Sequence, residues 1–237
     1  MSTFLQLCAD LTRESGAIGT APAAVTGQSG RQLKCVEWIA HAWVLIQNLY
    51  EDWYWMQGEV TAVALTINDM SYTSADLGIA TRFAAWKGDR PVERTAYYPW
   101  TIYDNAIGQS DEMPLREIPY AIWRTRYDRG SHDAQRPIEY ALAPDGTIRF
   151  GPKPDKAYRV RGEYRKSAQV LAANGDTPEL PERFHQIITR RAEMLMASAD
   201  RAPDRLQTAS MKYADLLFDL ERSQLPAITT SGAGPIA

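Results

Sequence analysis

Apolar side chains recur at three- and four-residue spacing at both ends of the chain, and this pattern predicts helices there. Ser2 or Thr3 can cap a first helix, which Gly16 then ends. A second helix is predicted from Arg31 to Trp53. Its buried stripe consists of Val36, Ile39, Ala40, Trp43, Ile46, Tyr50 and Trp53. Gln47 is the one polar intruder, and we expect it at the edge of this stripe.

The spacing changes to that of strands between Met56 and about Ala173. A run that is apolar on both sides is typical of a well-covered strand, and a Pro-Asp-Gly turn predicts a hairpin. The predicted elements are a covered strand at Val60–Ile67, an extended segment at Val92–Ile102 restricted by Pro99, a short helix at Pro119–Tyr127 closed near Gly130, a hairpin of Ile138–Leu142 and Thr147–Phe150 around Pro144-Asp145-Gly146, and a half-buried strand with one charged face at Tyr158–Arg165.

Two further helices are predicted after Pro178. Pro181 suits the first turn of one helix, and Ala202-Pro203 separates it from the next. The predicted fold class is therefore α+β, an antiparallel helical bundle of two N-terminal and two C-terminal helices with an inserted β-rich domain. The predicted domain bounds are 1–55 with 179–224 for the bundle, 56–178 for the insertion and 225–237 for an extended C-terminal arm.

Composition and charge argue against several classes of protein. The chain has 237 residues, with 26 basic and 29 acidic side chains and a net charge of -3, which argues against a nucleic-acid binder that depends on phosphate contacts. Cys8 and Cys35 are the only cysteines and form no CxxC motif, which suggests either a reducing compartment or no particular compartment. Neither a membrane-spanning run nor a secretion signal is evident, and synthesis and assembly in a cytosol are expected.

The candidate chemistry is sparse. His185 lies on a predicted helix with Glu182 and Glu193, but no second His or Cys shares that helix, so a zinc site is not supplied. His41 and His132 are isolated. Nucleophile, Walker and dinucleotide motifs are missing. No catalytic, cofactor-binding or metal residue is therefore assigned, and no enzyme activity is expected.

Two aromatic clusters each allow two interpretations. Trp53-Tyr54-Trp55, with Trp38 and Trp43 upstream, suits either stacking on bases and sugars or a helical core, and the helical spacing favours the core. The segment from Trp123 to Arg129 interleaves rings with cations, as single-strand binders do. A structural stack or a subunit interface explains the same pattern, since Trp, Tyr and Arg are enriched in interface hot spots.

The order of these blocks resembles the head–tail adaptor (connector) proteins of tailed bacteriophages. The resemblance runs from about Thr3 to Pro226 and rests on FLQLCADLTRESG, VTGQSGR and VEWIAHAWVLIQNLYEDWYWM, followed by RPIEYALAPDGTIRFGPKPDKAYRVRGEYRK, TPELPERFHQIITRRAEM and LERSQLP. It implies a structural virion protein of the neck, assembled in the host cytoplasm as a homo-oligomeric, dodecameric ring. Such a ring lies between the portal protein and the tail nozzle or tail tube, with tail fibres sometimes attached, and DNA passes through it during ejection without specific binding.

The C-terminal segment is the predicted portal-binding site. Its apolar and breaker residues suit an extended docking arm and not a helix, and the proposed contacts are Leu225, Pro226, Ile228, Pro235 and Ile236. A carbohydrate- or nucleic-acid-binding phage accessory or tail protein is the alternative function. The first would use the tryptophans, and the second would need a basic face.

Overall fold

A computed structural model describes residues 1–16, 19–88, 90–92 and 95–226, with side chains assigned except at 90–92, 95 and 96. The fold is α+β, as predicted. The helices of the described ranges are α1 (Phe4–Ser15), α2 (Gly30–Gln47), α3 (Tyr120–Trp123), α4 (Gln186–Ala199) and α5 (Pro203–Gln224). The chain forms two compact units, one made of residues 1–56 and the residues from 168 onward, and one made of residues 57–167.

The N-terminal signals act as predicted. Thr3 caps α1 through a capping box, in which its side chain accepts from the Gln6 backbone while the Gln6 side chain accepts from the Thr3 backbone. Gly16 ends the helix in the left-handed conformation with a φ of 60°. Both ends of α1 therefore follow from local sequence.

The second helix is shorter than predicted, because α2 ends at Gln47 and Asn48 caps it. Tyr50 consequently lies beyond the helix with 41% of its surface exposed, so its assignment to the core was wrong. Trp53 is nevertheless fully buried, and its indole Nε1 donates to the Ile46 carbonyl oxygen at 3.1 Å. The tryptophan packs back on the end of α2 instead of continuing its stripe.

Gln47 is a buried residue and not an edge residue, which corrects the second expectation for this helix. Its side-chain Oε1 accepts from the Gln169 backbone N–H at 2.7 Å, and its Nε2 donates to the Gln169 carbonyl oxygen at 3.0 Å. The amide thus pairs with a backbone that reaches α2 from 122 positions further along the chain. A buried amide with both groups satisfied is stable in a core.

The C-terminal helices begin close to the predicted breakers. The predicted break at Ala202-Pro203 is confirmed, and Pro203 occupies the first turn of α5. Pro181 instead precedes a 3-10 turn at Glu182–Phe184, after which α4 begins. The buried side chains of the first unit form one hydrophobic core. Its larger members are Phe4, Leu7, Leu11, Ile39, Trp43, Ile46, Trp53, Ile187, Ile188, Met196, Tyr213 and Leu220, drawn from α1, α2, α4, α5 and the segment after α2.

The second unit is built from short strands in two main sheets. The strands are β1 (Gln57–Ala64), β2 (Ser71–Tyr72), β3 (Phe83–Trp86), β4 (Arg90–Val92), β5 (Thr95–Tyr97), β6 (Thr101–Asp104), β7 (Met113–Pro114), β8 (Arg116–Glu117), β9 (Glu139–Leu142), β10 (Ile148–Gly151) and β11 (Tyr158–Lys166). One sheet has the order β1-β11-β6-β7 with β3 also on β11, the other has the order β2-β10-β9-β8, and β4 pairs with β5. β11 is the central strand of the first sheet.

Side chains from both sheets share one core around Trp100 and Tyr140. Trp100 lies over Gly162, where an added Cβ would come within 2.3 Å of the ring. Glycine is therefore required in β11 at this point for a steric reason. The register of the unit also brings its two ends together, since Gln57 of β1 pairs with Arg165 of β11.

Three strand predictions met different outcomes. The hairpin is confirmed, with Gly146 at a φ of 81° in the turn between β9 and β10. β11 alternates buried and half-buried residues over its first half, as predicted. The strand predicted at Val60–Ile67 is present as the second half of β1 and ends at Ala64. Its covered position was wrong, because β1 lies at the edge of its sheet and exposes Thr61 while burying Val60.

The extended segment at Val92–Ile102 is divided between β5 and β6, with Pro99 in the break; residues 93 and 94 lie outside the described ranges. The short helix predicted at Pro119–Tyr127 is present as α3, which continues into a π-helical turn at Arg124–Asp128.

Candidate assembly surfaces

His185 is held by backbone groups. It is buried, and each of its ring nitrogens contacts a backbone group. Nε2 is 3.1 Å from the Leu180 carbonyl oxygen, and Nδ1 accepts from the Ser2 backbone N–H at 3.3 Å, as a neutral imidazole does. Burial lowers the pKa of this imidazole, because the charged form loses its hydration. Among the described residues, no group of three or more His, Cys, Asp or Glu side chains could hold a metal ion. No helix in these ranges is both long and apolar enough to cross a membrane.

The first aromatic cluster is part of the helical core. Trp43 and Trp53 are fully buried, and Trp55 stacks on both, with ring centroids at 6.5 Å and 4.5 Å. The Trp43 Nε1 donates to Gln169 Oε1 at 3.1 Å. Only Tyr54 of the Trp-Tyr-Trp segment is strongly exposed. These rings therefore present no stacking platform for bases or sugars.

The second aromatic cluster is a structural stack in the β-rich unit. Trp123 is buried and stacks against Tyr120, with centroids 6.2 Å apart and ring planes 9° apart. The Tyr127 hydroxyl donates to a Glu139 carboxylate oxygen at 2.8 Å, and Arg126 forms an ion pair with the same carboxylate. The positive charge of Arg126 is therefore paired with a carboxylate of the same chain, which makes it less available to a nucleic-acid phosphate.

A cleft of about 310 Å³ opens beside this cluster. It is lined by Met70, Tyr127, Asp128, Gly130, Ser131, His132 and Lys153. Asp128 and Lys153 balance each other in charge, so the cleft has no marked preference for anions.

The outward face of α5 carries an apolar stripe, which we define as Met211, Ala214 and Phe218. Met211 is 64% exposed and Phe218 is 63% exposed, although the opposite face of the same helix buries Tyr213 and Leu220. Seven residues are about two helical turns, so the two large side chains lie on one line. Exposed Phe and Met in line on a well-packed helix are typical of a surface that another protein covers.

The predicted portal-binding residues are placed only in part. Leu225 caps α5, donates its backbone N–H to the Glu221 carbonyl oxygen at 3.0 Å, and packs half-buried against the helical core. Pro226 is exposed. Ile228, Pro235 and Ile236 lie outside the described residues. Leu225 is thus anchored in its own unit, and a free arm can begin only after it.

Comparison with known protein families decides the class of the protein. A family model described as SU10 adaptor protein matches residues 2–234, nearly the whole chain. The chain belongs to the SU10 adaptor protein family. No curated protein was found to match it.

Membership in this family agrees with the resemblance to phage head–tail adaptors that the sequence blocks carry. It indicates a structural component of the virion that interacts with other head or tail components.

The α5 stripe was missed at the sequence level. The sequence predicts one apolar line on this helix, Leu206, Ala209, Tyr213, Leu216 and Leu220, and Met211 and Phe218 fall between its members. Their own seven-residue spacing was the signal that would have revealed a second apolar line on the same helix.

Proposed function

We propose that the protein is a head–tail adaptor whose copies form a ring between the portal and the tail nozzle or tail tube, extending the DNA channel. The match of the adaptor family across residues 2–234 carries this proposal. The ring is proposed to be a dodecamer. Native mass measurement of the purified protein, alone and with portal, tests both the ring and its copy number, and a protein that stays monomeric and ignores the portal would refute it.

The proposed architecture is an antiparallel bundle of α1, α2, α4 and α5 with an inserted β-rich domain. The common helical core and the two compact units support it. The sequence-based bounds of the insertion, 56–178, stay a prediction. Hydrogen exchange followed along the chain tests them, because a separate domain opens as its own cooperative unit.

The α5 stripe is proposed as a contact between neighbouring copies. Its exposed apolar area supports this role, since about 25 cal/mol is gained for each Å² of such surface that leaves water. Phe218→Ser should lower the fraction of protein in the ring while leaving the melting temperature of the subunit unchanged. Val170→Ser is the matched control, because Val170 is 70% exposed in the same unit but is not part of α5. Equal loss of the ring in both variants would refute this contact.

The channel is proposed to let DNA pass without gripping it. Each phosphate contact would add affinity and slow passage, and the chain's net charge of -3 offers no excess of cations. Fluorescence anisotropy with a labelled DNA duplex at physiological salt should show that the assembled ring binds the duplex no more than weakly. Nanomolar affinity would instead favour the nucleic-acid-binding alternative.

The β-rich unit is proposed to face the tail components, including any fibres. Its hairpin presents Pro144 and Asp145 to solvent, and Asp145 Oδ1 holds the turn by accepting from the Thr147 backbone at 3.0 Å. Deleting the hairpin tip should impair tail attachment more than portal binding. Pro144→Ser is the mild control, because it changes the tip and keeps the Asp145 contact. If the deletion abolished portal binding and left tail attachment intact, the β-rich unit would face the portal and not the tail.

The residues after Pro226 are proposed as a docking arm for the portal. Cutting after Pro226 keeps Leu225 in the core, so the melting temperature should change little while portal attachment weakens. Full portal affinity in the truncated protein would remove this role from the arm.

A further inference from the structure

A buried histidine of the helical unit binds the N-terminal segment, which we define as Met1 and Ser2. His185 lies where the 3-10 turn at Glu182–Phe184 meets α4, and only 1% of its surface is exposed. The Ser2 backbone N–H donates to its Nδ1 at 3.3 Å, and its Nε2 is 3.1 Å from the Leu180 carbonyl oxygen. The imidazole thus joins the N-terminal segment to a helix that begins 183 positions further along the chain.

These two contacts fix the tautomer of the ring. A backbone N–H can only donate, so Nδ1 carries a lone pair and no proton where Ser2 bonds to it. A carbonyl oxygen can only accept, so the ring proton lies on Nε2 and is directed at Leu180. Only a neutral imidazole can make both bonds. A second proton, on Nδ1, would face the N–H of Ser2 and set two donors against each other.

We propose that His185 is a pH-sensitive switch that holds the N-terminal segment while its imidazole is neutral and releases it when Nδ1 takes up a proton from the solvent. The proton reaches the ring when the segment lifts transiently, because chain ends open at little cost in free energy. Met1 is 73% exposed and Ser2 is half-buried, so the segment that covers Nδ1 lies at the surface. After protonation, the segment has no acceptor to return to.

The Met1 amino group and the Glu182 carboxylate are the charged groups that act on this imidazole. The first belongs to the N-terminal segment, the second to the 3-10 turn, and the two form an ion pair with each other. That pairing lowers the pKa of Glu182, so the carboxylate stays ionised over the range in which an imidazole titrates. Burial lowers the pKa of His185. The release is therefore expected below about pH 6.5, where His185 is the group that changes its charge.

The switch is confined to the first two residues. Thr3 caps α1 through its contacts with Gln6, and the Phe4 backbone N–H donates to the Asp176 carbonyl oxygen at 2.7 Å. Phe4 is also buried in the helical core. These contacts do not titrate, so α1 should stay in place when the N-terminal segment leaves. The inference concerns the subunit alone and does not depend on the proposed ring.

Nuclear magnetic resonance of the full-length protein between about pH 7.5 and pH 5 tests the switch. The ring nitrogens of His185 report its protonation and its tautomer, and nitrogen relaxation of the Ser2 amide reports its order. We expect a neutral ring with its proton on Nε2 and an ordered Ser2 at the upper end. As the pH falls, the order parameter of Ser2 should drop below about 0.6 along the titration curve of His185, while that of Phe4 stays near about 0.85.

Two variants separate this histidine from other titrating groups. His41 also lies in the helical unit but is exposed, so His41→Gln should keep the transition at Ser2, whereas His185→Gln should remove it. The same pH dependence in both variants would overturn the proposal. The wild type decides it without the variants, since the proposal also fails if Ser2 stays ordered beside a protonated His185 or is flexible beside a neutral one. It fails equally if the ring stays neutral until the whole unit unfolds.

Discussion

Removal of the Trp43 side chain should strongly destabilise the helical unit. Its indole is fully buried, stacks on Trp55 with ring planes 24° apart, and donates to Gln169 Oε1 at 3.1 Å. Trp43→Ala should lower the free energy of unfolding by about 3–5 kcal/mol, the usual cost of emptying a buried aromatic site. About 0.5–1.5 kcal/mol of this arises from the lost aromatic pair.

The hydrogen bond contributes a smaller share of this loss. Gln169 Oε1 also accepts from the Glu179 backbone N–H at 3.2 Å, so the variant leaves it with a partner. Trp43→Phe keeps an aromatic ring and loses only the donor and part of the volume. Its expected cost is about 1–2 kcal/mol, because a neutral hydrogen bond contributes about 1 kcal/mol.

Urea unfolding followed by far-ultraviolet circular dichroism measures these differences, since the long helices all belong to one unit. With a slope of about 3 kcal/mol per molar urea, Trp43→Ala should move the midpoint down by about 1 M or more. Tyr50→Ala is the control, since Tyr50 is exposed despite its helical spacing, and it should cost about 1 kcal/mol or less. Equal losses at the two positions, or a loss below about 1 kcal/mol at Trp43, would refute the reasoning.

Three further predictions concern other parts of the chain. Gly162→Ala should markedly destabilise the β-rich unit, because the added methyl group would clash with the Trp100 ring. Gly175→Ala is the control, since an added Cβ there contacts nothing, and the melting temperatures of the two variants measure the difference. Since burial lowers the pKa of His185, stability should be full above the ordinary imidazole pKa of about 6.5 and fall as pH drops through it, and His185→Gln should flatten this dependence in melts across pH. Arg190→Met should lower the free energy of unfolding by about 1–3 kcal/mol, because Arg190 pairs with Glu14 of α1 in a largely buried position. In a double-mutant cycle, the same substitution should cost less in a Glu14→Gln background, because the ion pair is already lost there.

The elements that the sequence predicted well are those with local physical causes. Thr3 and Gln6 cap each other within one turn, Gly16 takes a conformation that other residues avoid, and Pro203 fits only a first helical turn. The Pro-Asp-Gly hairpin depends on Gly146 in the same way. Each of these signals acts over four residues or fewer, so neighbouring residues suffice to predict it.

The failures arise where distant residues decide. The apolar helical periodicity of the sequence continues past Gln47, because Tyr50 and Trp53 keep the helical spacing, and it therefore predicts too long a helix. The helix in fact ends at Gln47, which pairs with the backbone of Gln169. β1 has the composition of a covered strand, but its place at the edge of the sheet is set by its pairing with β11. Apolar character shows that a residue is able to be buried, and only the tertiary partners determine whether it is.

The ends of residues 57–167 have a consequence for how such proteins change over time. Gln57 and Arg165 are cross-strand neighbours, so this segment starts and finishes at almost the same place. In the helical unit, the pairing of Gln47 with Gln169 fixes the return of the chain at the end of α2. The entropy of closing such a connection depends only weakly on the length between its ends. Recombination between phages can therefore replace residues 57–167 by a segment of different size while the helices keep their packing. The same two junctions are suitable sites for inserting a foreign domain.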